Sequence, residues 1–245
     1  MKINGIEVTS TSMLNCYKKY YPKTYQQLMQ NKFDYLELFG IRVSTCDTSL
    51  PDDLIGGMKV NNFNFWEVVM SSGSTEPSPY WLKNLMSDAR AKGGAAFVAE
   101  GQYVYMYMGK RHGNFKPEAS FCPIKPVKVY RWTPTKKEIE DWKNGKGKPL
   151  SASFENAVKT KQVKISLSGD VCIHKSWAKE KFFNDSAGCQ ILSDTTSLNT
   201  LGDWADKHRK KKYGNVFQYT LFTKEQFVSA NSGSSSIFSL LKNLY

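Results

Sequence analysis

A β-rich mixed α/β fold is what this sequence predicts, on three observations. Several short runs combine aromatic and β-branched residues: 60–70 (VNNFNFWEVVM), 102–108 (QYVYMYM), 126–132 (PVKVYRW), 162–168 and 215–222. Such residues suit a pleated, half-buried surface. Small Gly, Pro, Ser and Asn clusters separate the runs, as turns between strands require. Runs with a helical period are few and scattered, which argues against a doubly wound α/β sheet. There is no internal repeat.

The chain opens with helix. The segment 10–20 carries Met13, Leu14, Cys16 and Tyr17, and Pro22 restarts a helix through Tyr25, Leu28 and Met29. Strand texture begins at Tyr35. A helix is predicted over 134–143, with Thr133 as N-cap, Pro134 in its first position and Gly145 beyond its end. A second runs over about 197–211, its apolar stripe being Leu198, Leu201, Trp204 and Ala205. At the C-terminus, 229–236 (SANSGSSS) reads as a linker, and 237–245 as a short apolar tail that either folds back or docks on a partner. The expected organisation is an N-terminal helical extension (1–32), a main domain (33–228) and a linker with tail (229–245).

At 245 residues and 40% apolar, the chain is long enough to bury a core. It has 34 Lys+Arg against 22 Asp+Glu, a net charge of +12, which favours an anionic partner. Nucleic acid, a membrane surface and an anionic cell wall all fit that charge. The densest basic run, at 207–212, closes the predicted 197–211 helix, where cations complement the helix dipole. A solvated helix end is the preferred reading of it, ahead of nucleic-acid binding. There is no long apolar run, and the start, Met1-Lys2-Ile3-Asn4, turns polar at once. Neither a membrane span nor a signal peptide is expected.

Five cysteines (Cys16, Cys46, Cys122, Cys172, Cys189) form an odd, widely spaced set without a CxxC pair. No disulfide framework, metal or cofactor is expected from them. Of the three histidines, His208 falls on the apolar stripe of the 197–211 helix and reads as a packing residue. His112 follows the 102–108 strand in a Gly-Lys-Arg-His-Gly loop, and His174 ends the run Val171-Cys172-Ile173-His174. A strand end fixes an imidazole well for work as a base. Further on stands Ser186-Ala187-Gly188-Cys189-Gln190. Its small residues let main chain approach a substrate, and the Gly188 and Cys189 amides can point at a developing oxyanion. An imidazole nearby would take the thiol proton. On spacing alone the pair competes with three other readings. Cys189 and His174 could be a buried thiol and a structural histidine. Cys172, His174, Cys189 and His112 could hold zinc. Cys172 could form a disulfide with Cys189.

The string Ile173-His174, then Ser186-Ala187-Gly188-Cys189-Gln190, resembles the L,D-transpeptidase (YkuD-type) catalytic domain, most closely its phage-associated branch. Collinear segments extend the likeness over about 33–225: 61–64 (NNFN), 74–77 before Tyr80-Trp81-Leu82, 100–103, 109–112 with Ala119, 126–131 and 215–221. The resemblance implies a β-sandwich with a few peripheral helices and its site in a cleft. It implies Cys189 as nucleophile, His174 as base, the Lys175 main-chain carbonyl orienting the ring, and Gly188 as an oxyanion amide. Ser186, Gln190 and His112 would contact substrate. The substrate would be a peptidoglycan stem peptide, and the product an acyl-enzyme passed to water or to an amine. Ala187 stands where cell-wall synthases carry a second histidine, so cleavage is expected ahead of cross-linking. By the same resemblance the protein would be phage-encoded and made in the cytoplasm. It would act at the bacterial wall as a lysin or virion part, with a virion protein as a candidate partner for the tail. The runner-up is a non-catalytic virion or wall-docking protein. A basic nucleic-acid binder comes third.

Overall fold

The computed structural model describes residues 1–30, 35–43, 52–77, 82, 93–109, 119–146, 150–176, 188–211 and 213–232. The β-rich mixed class expected from sequence is the class observed. Eight strands form a closed barrel: β3 (Leu36–Arg42), β4 (Asp53–Val60), β5 (Trp66–Ser74), β7 (Gly101–Tyr107), β8 (Phe121–Pro123), β11 (Ile173–Lys175), β12 (Gln190–Leu192) and β13 (Val216–Thr223). The order around it is β11-β12-β5-β4-β3-β13-β7-β8, and the Ile173–Phe121 pair closes the ring. The pairs β11/β12 and β13/β3 are parallel, and the others are antiparallel. The sandwich expected of the main sheet is thus a closed sheet. Beside it lies a three-stranded sheet, β10-β9-β6, of β6 (Ala95–Val98), β9 (Val127–Trp132) and β10 (Lys164–Ser168). A two-stranded ribbon, β1 (Lys2–Ile3) with β2 (Ile6–Glu7), opens the chain.

Several barrel strands are buried on both faces, which explains their near-continuous apolar runs. Leu36, Leu38, Ile55, Tyr219, Leu221, Ile173 and Leu192 point inward to one core. That core is extended by Leu198, Leu201, Trp204 and Ala205 of α5 (Thr195–Lys210). The alternate residues Phe39, Ile41, Leu54, Met58 and Phe222 face outward into a second core. There they meet Met13, Cys16 and Tyr17 of α1 (Ser10–Tyr20), Leu28 of α2 (Pro22–Gln30) and Phe227 of α6 (Lys224–Asn231). The N-terminal helices therefore share a core with the barrel. The 32/33 boundary expected from sequence lies outside the described residues. A third core joins the small sheet to α4 (Leu150–Lys159), where the Phe97 and Phe154 rings stack at 3.7 Å.

Several local expectations need correction. The run at 60–70 is two strands and a tight turn. Asn61 accepts from the amides of Phe63 and Phe65, and Asn64 takes the left-handed conformation (φ 66°). The N-cap of α3 (Lys136–Lys143) is Thr135, not Thr133. Glu138 three residues on completes a capping box with Thr135, which fixes the start past Pro134. The linker-like reading of 229–236 begins too early: α6 runs through Asn231. Buried Asn231 donates to the Ser12 and Phe227 carbonyls, tying α6 to α1. His208 packs as expected, 1% exposed, and its Nδ1 accepts from the Leu36 amide at 2.8 Å. Among the described residues no helix is long and apolar enough to cross a membrane.

Candidate active site

Cross-strand register sets the two predicted reactive residues on neighbouring stretches of chain. β11 and β12 run parallel, with Ile173 opposite Gln190 and His174 opposite Ile191. The Gln190 amide donates to the Cys172 carbonyl at 2.8 Å, so the alignment holds one step earlier, where Cys189 lies alongside Cys172. Ile173 and Leu192 face the inner core. Their neighbours Cys172, His174 and Cys189 therefore share the opposite face. The nucleophile candidate and the base candidate stand on adjacent strands, on one side of the sheet.

His174 is 3% exposed, and its Nδ1 lies 2.8 Å from the Lys175 carbonyl oxygen. A carbonyl only accepts, so Nδ1 carries a hydrogen, and in the neutral ring the lone pair is on Nε2. Cys189 is half-buried, and its thiol donates to the Asp170 carbonyl at 3.4 Å. That carbonyl lies three residues before β11, so the thiol hydrogen is directed at the run into the strand and not at His174. The same run is pinned from inside by the Tyr105 hydroxyl, which donates to the Val171 carbonyl at 2.9 Å.

Gly188 is required by its backbone and by its neighbour. It has φ +153°, and a Cβ there would come within 2.6 Å of the Ala96 carbonyl oxygen. The bend before Cys189 is therefore pressed onto β6. Gln190, expected to meet substrate, is fully buried and faces the other way. Its Oε1 accepts from the Tyr219 hydroxyl at 2.9 Å, and its Nε2 donates to the Thr75 carbonyl at 3.3 Å. That place suits holding β12 in the barrel, not touching a ligand. Ser186 and His112 lie outside the described residues.

Two cysteine expectations are overturned. Cys122 and Cys172 form a disulfide with Cα atoms 4.3 Å apart, although no disulfide framework was expected and the one pairing weighed joined Cys172 to Cys189. Because its sulfur is committed there, Cys172 supplies neither a zinc thiolate nor a bond to Cys189 in this structure. Cys189 remains a thiol. Among the described residues no cluster of three or more His, Cys, Asp or Glu could hold a metal ion.

A cleft of about 300 Å³ is lined by Arg131 and by residues 166–170, and meets the site through Asp170, whose carbonyl accepts from the Cys189 thiol; neither His174 nor Cys189 lines it. Arg131 is buried and donates to the Ser166 hydroxyl and the Gly94 carbonyl. It pairs across the sheet with Ala96, the residue under Gly188. Sequence reading missed Arg131 and Asp170 as site neighbours. Arg131 appeared only as the end of a strand motif, and no periodicity marks a buried arginine. A further cleft of about 310 Å³, between Tyr130, Phe154 and Arg42, has no lining residue that bonds to His174 or Cys189 among the contacts described. Chemistry, not size, selects the site. No family model matches the chain, and no curated protein aligns with it significantly.

Proposed function

We propose that this protein is a cysteine peptidase or acyltransferase of the L,D-transpeptidase type, acting on peptidoglycan stem peptides, with cleavage favoured over cross-linking. The observation that carries the reading is the His174 ring. Its Nδ1–H donates to the Lys175 carbonyl, so the neutral ring is basic at Nε2, on the strand next to the one that Cys189 leads into.

In this reading Nε2 takes the Cys189 proton, and the thiolate attacks a peptide carbonyl carbon. The oxyanion is met by the amides of Gly188 and Cys189 at the bend over Ala96. His174 returns the proton to the leaving amine, and water then releases the thioester. The cleft beside Asp170, lined by Ser166, Ser168 and Gly169, offers a polar seat for a peptide. The Cys122–Cys172 disulfide suits work outside a reducing cytoplasm, as action at a bacterial wall would require.

The deep burial of His174 favours a second reading, a wall-docking or virion protein that keeps the fold without turnover. Digestion of purified sacculi separates the two. Release of peptide fragments by the wild type and not by Cys189→Ala supports the enzyme. Binding to sacculi without fragments, equal in both proteins, supports docking and defeats the enzymatic reading. Fragment masses distinguish hydrolysis from transfer.

A further inference from the structure

Three sulfurs stand in one row across three neighbouring strands. Phe121 of β8 pairs with Ile173 of β11, and Ile173 pairs with Gln190 of β12. One residue away, the antiparallel pair aligns Cys122 with Cys172, and the parallel pair aligns Cys172 with Cys189. Phe121 and Ile173 belong to the inner core, so all three cysteines take the outer face. Cys122 and Cys172 are bonded to each other. The Cys189 thiol reaches across to the Asp170 carbonyl, two residues before Cys172. The middle sulfur therefore has a disulfide partner on one side and a thiol on the other.

We propose that Cys189 has a second chemistry, thiol–disulfide exchange along this row. The Cys189 thiol loses its proton, to His174 on the same face or to solvent. The thiolate attacks the Cys172 sulfur from the side opposite Cys122, the in-line direction that the strand order β12-β11-β8 provides. A Cys189–Cys172 bond forms as the Cys172–Cys122 bond breaks. The electron pair leaves on Cys122, which is half-buried and takes up a proton from solvent. One disulfide replaces another, so no oxidant or reductant is consumed. In the exchanged form Cys189 is blocked. The effect on catalysis rests on the proposed peptidase reading, whereas the exchange itself does not.

The three cysteines fall on three different tryptic peptides, so linkage can be read by mass. Wild-type protein held at pH 5 is jumped to pH 6, 7 or 8, quenched with acid at intervals, alkylated and digested without reductant. The expected result is a Cys172–Cys189-linked pair of peptides appearing together with alkylated Cys122. Its rate should rise roughly tenfold per pH unit while the pH stays below the thiol's pKa. Cys189→Ser should show the Cys122–Cys172 link alone at every pH. The proposal is overturned if wild-type Cys122 stays linked to Cys172 and unalkylated throughout, or if all three cysteines are alkylated from the start. Sacculus digestion by the same preparations is scored separately. An inert row with cleavage intact removes the exchange alone, and exchange without cleavage removes the peptidase reading alone.

Discussion

Gly188 lies so close to Ala96 that a Cβ on it would stand 2.6 Å from the Ala96 carbonyl oxygen and 2.9 Å from the Ala96 Cβ. Both contacts are with a buried strand of the small sheet, where nothing flexible can yield. The φ of +153° adds a backbone conformation that L residues avoid. Gly188→Ala is therefore expected to lower stability by about 1–3 kcal/mol and to move Cys189. Chemical denaturation reads the first effect, and the rate of iodoacetamide labelling at Cys189 reads the second. A variant equal to wild type in both would mean that the bend is not held against β6.

The two described thiols should behave oppositely. Cys16 is fully buried among the N-terminal helices, and desolvation pushes its thiol up to about 12, with the Asn231 hydrogen bond and the Lys19 charge offsetting little. It should resist alkylation at pH 7.5 until the protein unfolds. Cys189 is half-buried and shares a face with His174, and it should label in the native state. His174→Ala should slow that labelling by roughly tenfold, through loss of the proton acceptor. Time-resolved peptide mapping gives both rates. Cys16 reacting as fast as Cys189 would overturn the assignment.

The Tyr219–Gln190 hydrogen bond should be worth more to the site than its single contact suggests. Tyr219→Phe removes the donor and leaves Gln190 Oε1 unsatisfied in a fully buried position, at a cost of about 1–3 kcal/mol. Tyr219→Phe combined with Gln190→Leu removes both partners, and should recover part of that loss. A double-mutant cycle by urea denaturation measures the coupling. Strict additivity would show that Gln190 does not lean on Tyr219.

Much of this architecture could be read from residue patterns, and what could not has a common cause. The first two helices, a strand carrying His174 (one residue longer at its end than expected) and the packing of His208 follow from local periodicity, and periodicity is carried by the chain itself. Thr135 was also readable in principle: Thr135 and Glu138 have capping-box spacing, and the attraction of Pro134 to a first helical position masked it. α4 was hidden because its serines and asparagine weaken the apolar stripe, which among the described side chains rests on Phe154 and Ala157 with Val158 beside them. The Cys122–Cys172 bond joins residues 50 apart and exists because β8 closes the barrel onto β11. No local pattern encodes that closure. The same holds for Arg131, whose place beside Gly188 is set by pairing with Ala96.

Stability should fall as pH rises from about 5 to 8, because of a carboxyl close to the strand that supports β12. Glu76 is buried two residues past Ser74, the β5 residue that pairs with Ile191. Desolvation foremost, then the Asp53 charge, raises its pKa to about 8, with Arg42 partly opposing. Its folded pKa lies above the ordinary 4.5, so between the two the native state keeps a proton that the unfolded chain releases. Stability is then full below about 4.5 and declines by up to about 1.4 kcal/mol per pH unit toward 8. Buried Glu37, also raised by desolvation, acts in the same direction. Glu76→Gln imitates the protonated form and should remove one proton's share of the slope, leaving that of Glu37. Urea midpoints at pH 5, 6, 7 and 8 for both proteins test this. Parallel curves would show that Glu76 is ionised in the native state, its charge carried by Arg42.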